Sequence, residues 1–254
     1  RAADLLAVAG TRIETELEAD PRAAAELGIV IGKGLSGLGD PQRVEQPLRA
    51  AVARAEQVFG RTHPLTIQGR ALLVESLNAT KPEEASRIVD ELVPDALAGL
   101  PATAADAVFA LRSQSFQRAK RGLAQASYQP LKQAVALAEQ HLGRQHKQTL
   151  ITLGLLSNTY GRFEERELQL QTAEEARSRA ESALGARRPS LTLTTVERWH
   201  AEALRSNNRP RDAVPILRRV LKDQRELDGT DTLRVRHALF QLGMALSETG
   251  ELGE

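Results

Sequence analysis

The sequence contains no cysteine, which excludes disulfide bonds, thiolate metal sites and cysteine nucleophiles. Aromatic residues make up only 3% of the 254 residues, so a hydrophobic core must be built mainly from alanine and leucine. No apolar run approaches the roughly 20 residues that span a bilayer, and we expect no membrane insertion. The chain begins without methionine, and we expect a soluble piece of a larger cytoplasmic protein.

An excess of charge of one sign is also lacking. The 34 basic and 33 acidic residues leave a formal net charge of +1. No global field therefore draws the chain onto nucleic acid or an anionic membrane, and we expect no nucleic-acid partner. Only 6 of the basic residues are lysine, and this arginine and alanine usage is typical of a bacterial coding sequence of high GC content.

Strand signals are nearly absent, because alternating runs of valine, isoleucine, threonine and aromatic residues are missing. Alanine, leucine, arginine, glutamate and glutamine, which favour helices, dominate the sequence instead. Apolar residues recur at steps of three and four, as at Leu131, Val135, Ala138 and Leu142. This period is typical of amphipathic helices, so the sequence predicts an all-α fold.

A repeated pair of residues predicts the organisation of these helices. Three pairs are each followed by a glycine seven residues later: Ile31-Gly32 by Gly39, Leu153-Gly154 by Gly161, and Leu242-Gly243 by Gly250. Three further turns of the same kind are predicted between these glycines, near Thr80, Gly122 and Asn208. Successive predicted turns then lie 41, 42, 39, 47 and 42 residues apart. The predicted unit is helix A, a tight turn, helix B and a loop.

The spacing predicts one domain over residues 1–254, with an N-terminal helix at 2–18 and Pro94 ending the second B helix early. Five hairpins follow the first helix, at about 22–59, 64–100, 103–142, 146–184 and 190–227, and a partial sixth repeat occupies 231–254. The sixth repeat has only its A helix, and we expect the apolar face of Leu242 and Leu246 to lack a B-helix partner.

These repeats resemble the tetratricopeptide repeat (TPR) in its 42-residue, kinesin-light-chain-like form. The resemblance rests on the Leu-Gly pairs, on Ala85 and Ala213 five residues beyond their turns, and on the connector Gly60-Arg61-Thr62-His63-Pro64. A second connector, Gly143-Arg144-Gln145-His146, repeats it without the proline. The resemblance implies a right-handed α-solenoid, and similar chains are appended to bacterial serine/threonine kinases or winged-helix regulators.

The sequence offers no case for catalysis. The glycines from Gly32 to Gly37 match G-x-G-x-x-G, but helices surround them, whereas a dinucleotide site requires a parallel βαβ unit. No two of the five histidines are spaced to share a helical face. We therefore expect a non-enzyme with no cofactor and no metal.

The resemblance implies a concave groove lined by the A helices, where extended peptides or partner helices bind. Counting from each turn residue places seven basic and amide residues in it: Arg70, Asn78, Arg112, Lys120, Asn158, Arg198 and Arg205. Arginine forks and amides suit carboxylates and peptide backbone. Alternatively, these arginines are solvated or paired with neighbours such as Glu202.

Two classes of function follow from this. The first is a non-catalytic scaffold that binds a protein or peptide, with acidic character, as a regulatory or sensor arm of a larger bacterial signalling protein. The second is self-association, a homodimer formed through the truncated C-terminal repeat. A regulator whose groove receives a signalling peptide or small ligand is not distinguished from the first by the sequence.

Overall fold

The structure, a computed structural model, describes residues 8, 10, 12, 13, 16, 17, 19–37, 41–230 and 232–250, without the side chains of 37 and 41–43. These residues form eleven α-helices, one short 3-10 helix at Gly185–Arg187, and no strand. The helices are α1 (Pro21–Gly37), α2 (Pro41–Phe59), α3 (Pro64–Leu77), α4 (Pro82–Ala98), α5 (Ala104–Lys120), α6 (Ala124–His141), α7 (Lys147–Arg162), α8 (Arg166–Leu184), α9 (Leu191–Ser206), α10 (Pro210–Asp228) and α11 (Leu233–Thr249). The prediction of an all-α helical-repeat fold is confirmed.

The helices alternate as predicted between A helices (α1, α3, α5, α7, α9, α11) and B helices (α2, α4, α6, α8, α10). Most of the predicted N-terminal helix at 2–18, the turn glycine Gly39 and the last four residues lie outside the described residues. The chain divides into two compact units, Arg1–Gln117 and Arg118–Glu254, and the boundary falls near the end of α5. A single domain over the whole chain stays a prediction.

Each unit is held together by helix-on-helix packing. In the first unit α1 packs on α2 and α3, and in the second α9 packs on α7, α8, α10 and α11. The first core includes the fully buried Leu35, Leu48 and Leu77. The second includes Leu217 and Val220 of α10, which face Leu204 of α9. Leucine and alanine fill these cores in place of aromatic residues, as expected from the composition.

The starts of three A helices follow from local hydrogen bonds at their N-caps. The Nδ1 atoms of His63 and His146 accept from backbone N–H groups two residues later, each at 3.3 Å. Ser190 caps α9 by accepting from the N–H of Leu193 at 3.5 Å. These side chains satisfy donors that have no partner inside the helix. The His-Pro and Gln-His connectors are therefore capping signals.

The turn of the fourth hairpin differs from its predicted place. Gly161 lies inside α7, and the left-handed backbone conformation is taken by Glu164, at φ 62°. A Cβ atom on Gly161 would lie 2.3 Å from the side chain of Gln169, so this glycine makes room for helix α8. The sequence pattern placed the turn at Gly161 because glycine is the usual residue at positive φ. The register of this hairpin shifts by three residues.

The glycines of the Leu-Gly pairs have three different surroundings. A Cβ on Gly32 would lie 2.2 Å from Leu48 of α2, which confirms the expected close approach of helix B. Gly154 is covered instead by Trp199 of the next A helix, with 2.4 Å to the ring atom Cε3. Gly243 has nothing within 4 Å. Only one of the three glycines therefore has the role that the resemblance implies.

Two further predictions are corrected. Helix α4 continues through Pro94 to Ala98, so this proline does not end the helix. Leu242 and Leu246 are partly buried against the core of the second unit. The open face of α11 instead carries Leu239, which is 41% exposed, beside Gly243. The expected face was misplaced because the turn residue alone does not say which side of a helix meets its neighbours.

Candidate functional site

The buried faces of the A helices give a register that does not depend on the turn residues. In α3, α7 and α9, buried residues recur at the same places counted from the N-caps His63, His146 and Ser190. The seventh residue is Arg70, Leu153 or Glu197 and is buried in all three helices. The eighth residue is Ala71, Gly154 or Arg198. Arg70 and Arg198 therefore do not occupy equivalent positions.

Arg70 lies on the buried face of α3, although the sequence places it in the groove. It is 3% exposed, and its Nη1 donates to Asp95 Oδ2 of α4 at 2.5 Å. Glu91 and Glu56 lie 3.7 and 3.8 Å from its other nitrogens. Burial alone would raise the pKa of Asp95, but hydrogen bonds from Arg70 and Arg61 outweigh it and lower that pKa. Arg70 is thus a structural ion-pair residue, unavailable to a ligand.

The other predicted residues of the first unit have contrasting surroundings. The side-chain oxygen of Asn78 accepts from Gln117 Nε2 at 3.1 Å. Arg112 is half-buried, and its Nε is buried with no hydrogen-bond partner among the described residues. Burial lowers the pKa of Arg112. Arg112 therefore has a donor available for an anion, whereas Arg70 already donates to Asp95.

Arg205 in the second unit is engaged by two carboxylates. Its Nε and Nη2 donate to Glu248 at 2.9 and 2.5 Å, and its Nη1 donates to Glu202 at 2.9 Å. Its side chain is nearly buried. The alternative interpretation, pairing with neighbours such as Glu202, therefore describes Arg205. Of the other predicted residues there, Lys120 is exposed and Asn158 is half-buried.

Arg198 is the predicted cation that remains available in the second unit. Its Nη1 lies 3.3 Å from Nδ1 of His237 on α11, and its guanidinium lies 5.7 Å from the ring centre of Trp199. Among the described residues, no carboxylate lies within ion-pair distance of it. Burial lowers the pKa of Arg198, and burial together with nearby Arg198 lowers the pKa of His237. At neutral pH a cation therefore faces an uncharged imidazole.

Sequence reasoning missed two apolar residues beside this pair. Phe240 is 64% exposed and Met244 is 38% exposed, both on α11. Phe240 is the eighth residue after the N-cap Thr232, as Arg198 is after Ser190, so the two occupy equivalent places on their helices. Met244 likewise corresponds to Asn158 of α7. Phe240 lies ten residues before the turn residue Gly250, which is the offset of Arg70, Arg112 and Arg198 from their predicted turns, but its aromatic side chain departs from their basic pattern.

These residues belong to one set on the A helices of the second unit. We call it the A-helix surface and define it by Asn158, Arg198, His237, Phe240 and Met244. Helix α9 packs against both α7 and α11, and within the set Arg198 and His237 are in contact between α9 and α11. Exposed large apolar side chains beside a cation are typical of binding surfaces. No group of His, Asp or Glu with metal-ligand geometry occurs among the described residues.

A titration prediction arises in the first unit from Asp106 in the first turn of α5. Burial raises its pKa to about 6, partly opposed by Lys33. A carboxyl group whose pKa is raised in the folded state stabilises the fold at pH values below its pKa in the unfolded chain. This stabilisation is lost as the pH rises from about 4 to 6. We expect Asp106→Asn to raise the free energy of unfolding by about 1–2 kcal/mol at pH 7.5 and hardly at pH 4.

Urea denaturation at both pH values measures this effect. Glu75→Gln, at an exposed carboxylate of α3, is the control and is expected to change stability by less than about 0.5 kcal/mol at either pH. An equal effect of Asp106→Asn at pH 4 and pH 7.5 would contradict the assignment, because it could not come from ionisation.

Comparison with known proteins places the fold. No protein-family model and no curated protein matches the sequence. The solved structure of BtubC (BKLC) from P. vanneervenii is similar with a TM-score of 0.71 at 13% identity, covering 91% of this chain and 94% of that one. TPR-like repeats of a Podosopora anserina kinesin light chain give a TM-score of 0.60 at 17% identity, covering 79% and 95%.

A Rap protein solved in complex with the competence and sporulation factor gives a TM-score of 0.59 at 14% identity, covering 98% of this chain and 71% of that one. At these identities the similarities show the fold alone. The chain has the TPR-like helical-repeat fold, as its resemblance to kinesin-light-chain-like repeats predicts. Within the described part of the chain, no helix combines the length and apolar character needed to cross a bilayer.

Proposed function

We propose that this chain is a non-catalytic interaction module whose second unit binds a peptide segment on the A-helix surface. The observation that carries the proposal is Phe240, a large aromatic side chain 64% exposed in line with Arg198. Aromatic and arginine side chains supply most of the binding energy in protein interfaces. The similar Rap protein was solved with a bound factor, which supports the same use of this fold.

Charge complementarity indicates the kind of segment. Arg198 has a neutral histidine and an aromatic ring as neighbours, and no carboxylate among the described residues within ion-pair distance. An acidic side chain would supply the missing anion, and an apolar side chain would cover Phe240 and Met244. The ligand is therefore a segment that combines acidic and apolar residues. We further propose that the module acts in the cytoplasm as a regulatory arm of a larger bacterial signalling protein.

The test is selection from a displayed library of random peptides, followed by affinity measurement. Enriched peptides are expected to contain both acidic and apolar residues, and to bind at least about tenfold more weakly to Phe240→Ala and to Arg198→Gln. Replacing the peptide's acidic residues by their amides should weaken binding to the wild type but not to Arg198→Gln. Fluorescence polarisation with labelled peptides measures each affinity.

Leu239→Ala is the matched control, because Leu239 is an exposed apolar residue on the same helix whose equivalent in α9, Glu197, is fully buried, whereas Arg198, the equivalent of Phe240, is only half-buried. It should leave peptide affinity unchanged. Enriched peptides that bind Phe240→Ala and Arg198→Gln as tightly as the wild type would contradict the proposal. Equal losses in the Leu239 variant would show that the effect comes from the stability of α11 and not from contact.

A second candidate function is self-association through the other face of α11. The residues equivalent to Leu239 and Gly243 in α9 are Glu197 and Ala201, which are fully buried, whereas Leu239 is exposed and Gly243 has open space around it. A second copy of the chain could bury this face. Sedimentation velocity is expected to show a dimer that Leu239→Glu abolishes and Phe240→Ala does not. A monomer at high concentration would contradict this candidate.

A further inference from the structure

A cavity of about 740 Å³ that is open to solvent lies on the second unit, and none of the residues of the A-helix surface line it. Its walls are the B helices α8 and α10, and residues of α9 form its floor. The apolar part of the lining comes from Leu204, Pro215 and Ile216. Volumes of this size are typical of sites for small organic ligands. The polar part of the lining contains two groups that the fold leaves without partners.

The first group is His200 of α9. Its side chain is buried, with 4% of the residue exposed, yet neither ring nitrogen has a hydrogen-bond partner among the described residues. The residue is the tenth after its N-cap, and the equivalent residues of α3 and α7 are the buried Leu73 and Leu156. The fold therefore accepts leucine here. A buried polar group without a hydrogen-bond partner lowers the stability of the fold, so the imidazole of His200 does not serve to stabilise this helix packing.

The second group is Arg177 of α8. Its Nε is buried without a partner, and no carboxylate within the described part of the chain lies within ion-pair distance. The other lining charges are compensated. Arg209 lies 2.8 Å from Asp212 and 3.6 Å from Glu174, Arg219 lies 2.5 Å from Glu197, and Glu181 lies 3.3 Å from Arg188. Arg177 is therefore the one arginine of this lining that has no carboxylate within ion-pair distance among the described residues.

Arg177 and His200 both line this cavity. Burial first, then Arg177 and Arg209, lower the pKa of His200 to about 4, so the imidazole is neutral at pH 7. A neutral imidazole donates one N–H and accepts at its other nitrogen. A guanidinium beside it offers a forked pair of donors to an oxyanion. The arrangement matches a carboxylate.

We infer that this cavity binds a small organic acid, with its carboxylate on Arg177 and His200 and its apolar part against Leu204, Pro215 and Ile216. The site uses the B helices and none of the residues that define the A-helix surface. An experiment that finds no small acid bound in this cavity would therefore leave the proposed peptide binding on the A-helix surface untouched, and the reverse also holds. The bound carboxylate would supply both the hydrogen-bond partner that His200 lacks and the ion-pair partner that Arg177 lacks.

The test is an NMR titration of the full chain with hexanoate, with hexanamide as the uncharged probe of the same shape. Hexanoate is expected to shift amide resonances in α8, α9 and α10 and to bind at least about tenfold more tightly than hexanamide. It should also raise the pKa of His200, followed through its ring proton, because a bound anion favours the imidazolium. A merely structural histidine would show no such change.

Two variants and one control sharpen the result. Arg177→Gln should weaken hexanoate binding at least about tenfold and leave hexanamide binding unchanged. Arg211→Gln, an exposed charge of α10 outside the cavity, should change neither. His200→Leu should raise the melting temperature and remove the preference for hexanoate, so a folding defect cannot explain the loss.

Three results would overturn the inference. The first is no shift in these helices at about 50 mM hexanoate, a concentration at which a ligand of this size should be detected in a matching site. The second is equal binding of hexanoate and hexanamide. The third is an equal effect of Arg177→Gln and Arg211→Gln on the affinity for hexanoate.

Discussion

Replacing Glu197 by alanine is expected to lower the free energy of unfolding by about 3–4 kcal/mol, the largest effect of a single change proposed for this chain. Glu197 is fully buried on α9. Its Oε1 accepts from Nη2 of Arg188 and, at 2.5 Å, from Nη2 of Arg219. Arg188 also donates to Asp223 at 2.5 Å. Removing the carboxylate leaves two partly buried guanidinium groups facing each other.

Chemical denaturation of Glu197→Ala measures the loss, and Glu226→Ala, at an exposed carboxylate of α10, is its control. The control is expected to change stability by less than about 0.5 kcal/mol. Combining Glu197→Ala with Arg219→Ala should cost less than the sum of the two single changes, because the second removes a charge that the first left unpaired. A loss below about 1 kcal/mol in Glu197→Ala would contradict the role of the pair.

The second large effect is expected at Gly154. Replacing it by alanine should lower the free energy of unfolding by about 2 kcal/mol, although alanine is the better helix former. The added Cβ would lie 2.4 Å from Cε3 of Trp199, and a bulky, partly buried ring cannot move away without disturbing its neighbours. Trp199 is the only tryptophan, so a change of its fluorescence reports directly on this contact.

Gly243→Ala is the matched control for this prediction. Gly243 also lies inside an A helix, in α11, but nothing lies within 4 Å of a Cβ placed there. The same chemical change should therefore raise the free energy of unfolding by about 0.5–1 kcal/mol through helix propensity alone. If both variants gained stability, the close contact between Gly154 and Trp199 would be contradicted.

The fold was largely predictable because helix propensity and apolar periodicity are local properties. The A and B helices occur close to the predicted ranges, and the connectors containing His63 and His146 begin helices because their side chains cap the first turn. The predictions failed where two local signals competed. Gly161 was a plausible turn residue, yet the space needed by Gln169 keeps it inside α7 and the turn falls at Glu164.

The candidate site was less predictable, because a shift of one residue turns a side chain by about 100° around a helix. Arg70 and Arg198 have the same offset from their predicted turns, but one is buried against Asp95 and the other lies beside His237. Arg205 has the predicted chemistry and is engaged by Glu248 on the next A helix. Counting along the chain does not show which cations have already been neutralised.

The all-α array of about 42-residue hairpins, the balanced charge and the absence of cysteine chemistry all follow from the amino-acid sequence. These properties depend on composition and on signals within one or two helical turns. Which charges lack a carboxylate partner among the described residues follows only from the packing of the helices, and Arg112, Arg198 and Arg177 are examples. Burial and ion pairing depend on residues from different helices, which are far apart in the sequence. His200, for example, lines a cavity that forms only when α8, α9 and α10 pack together.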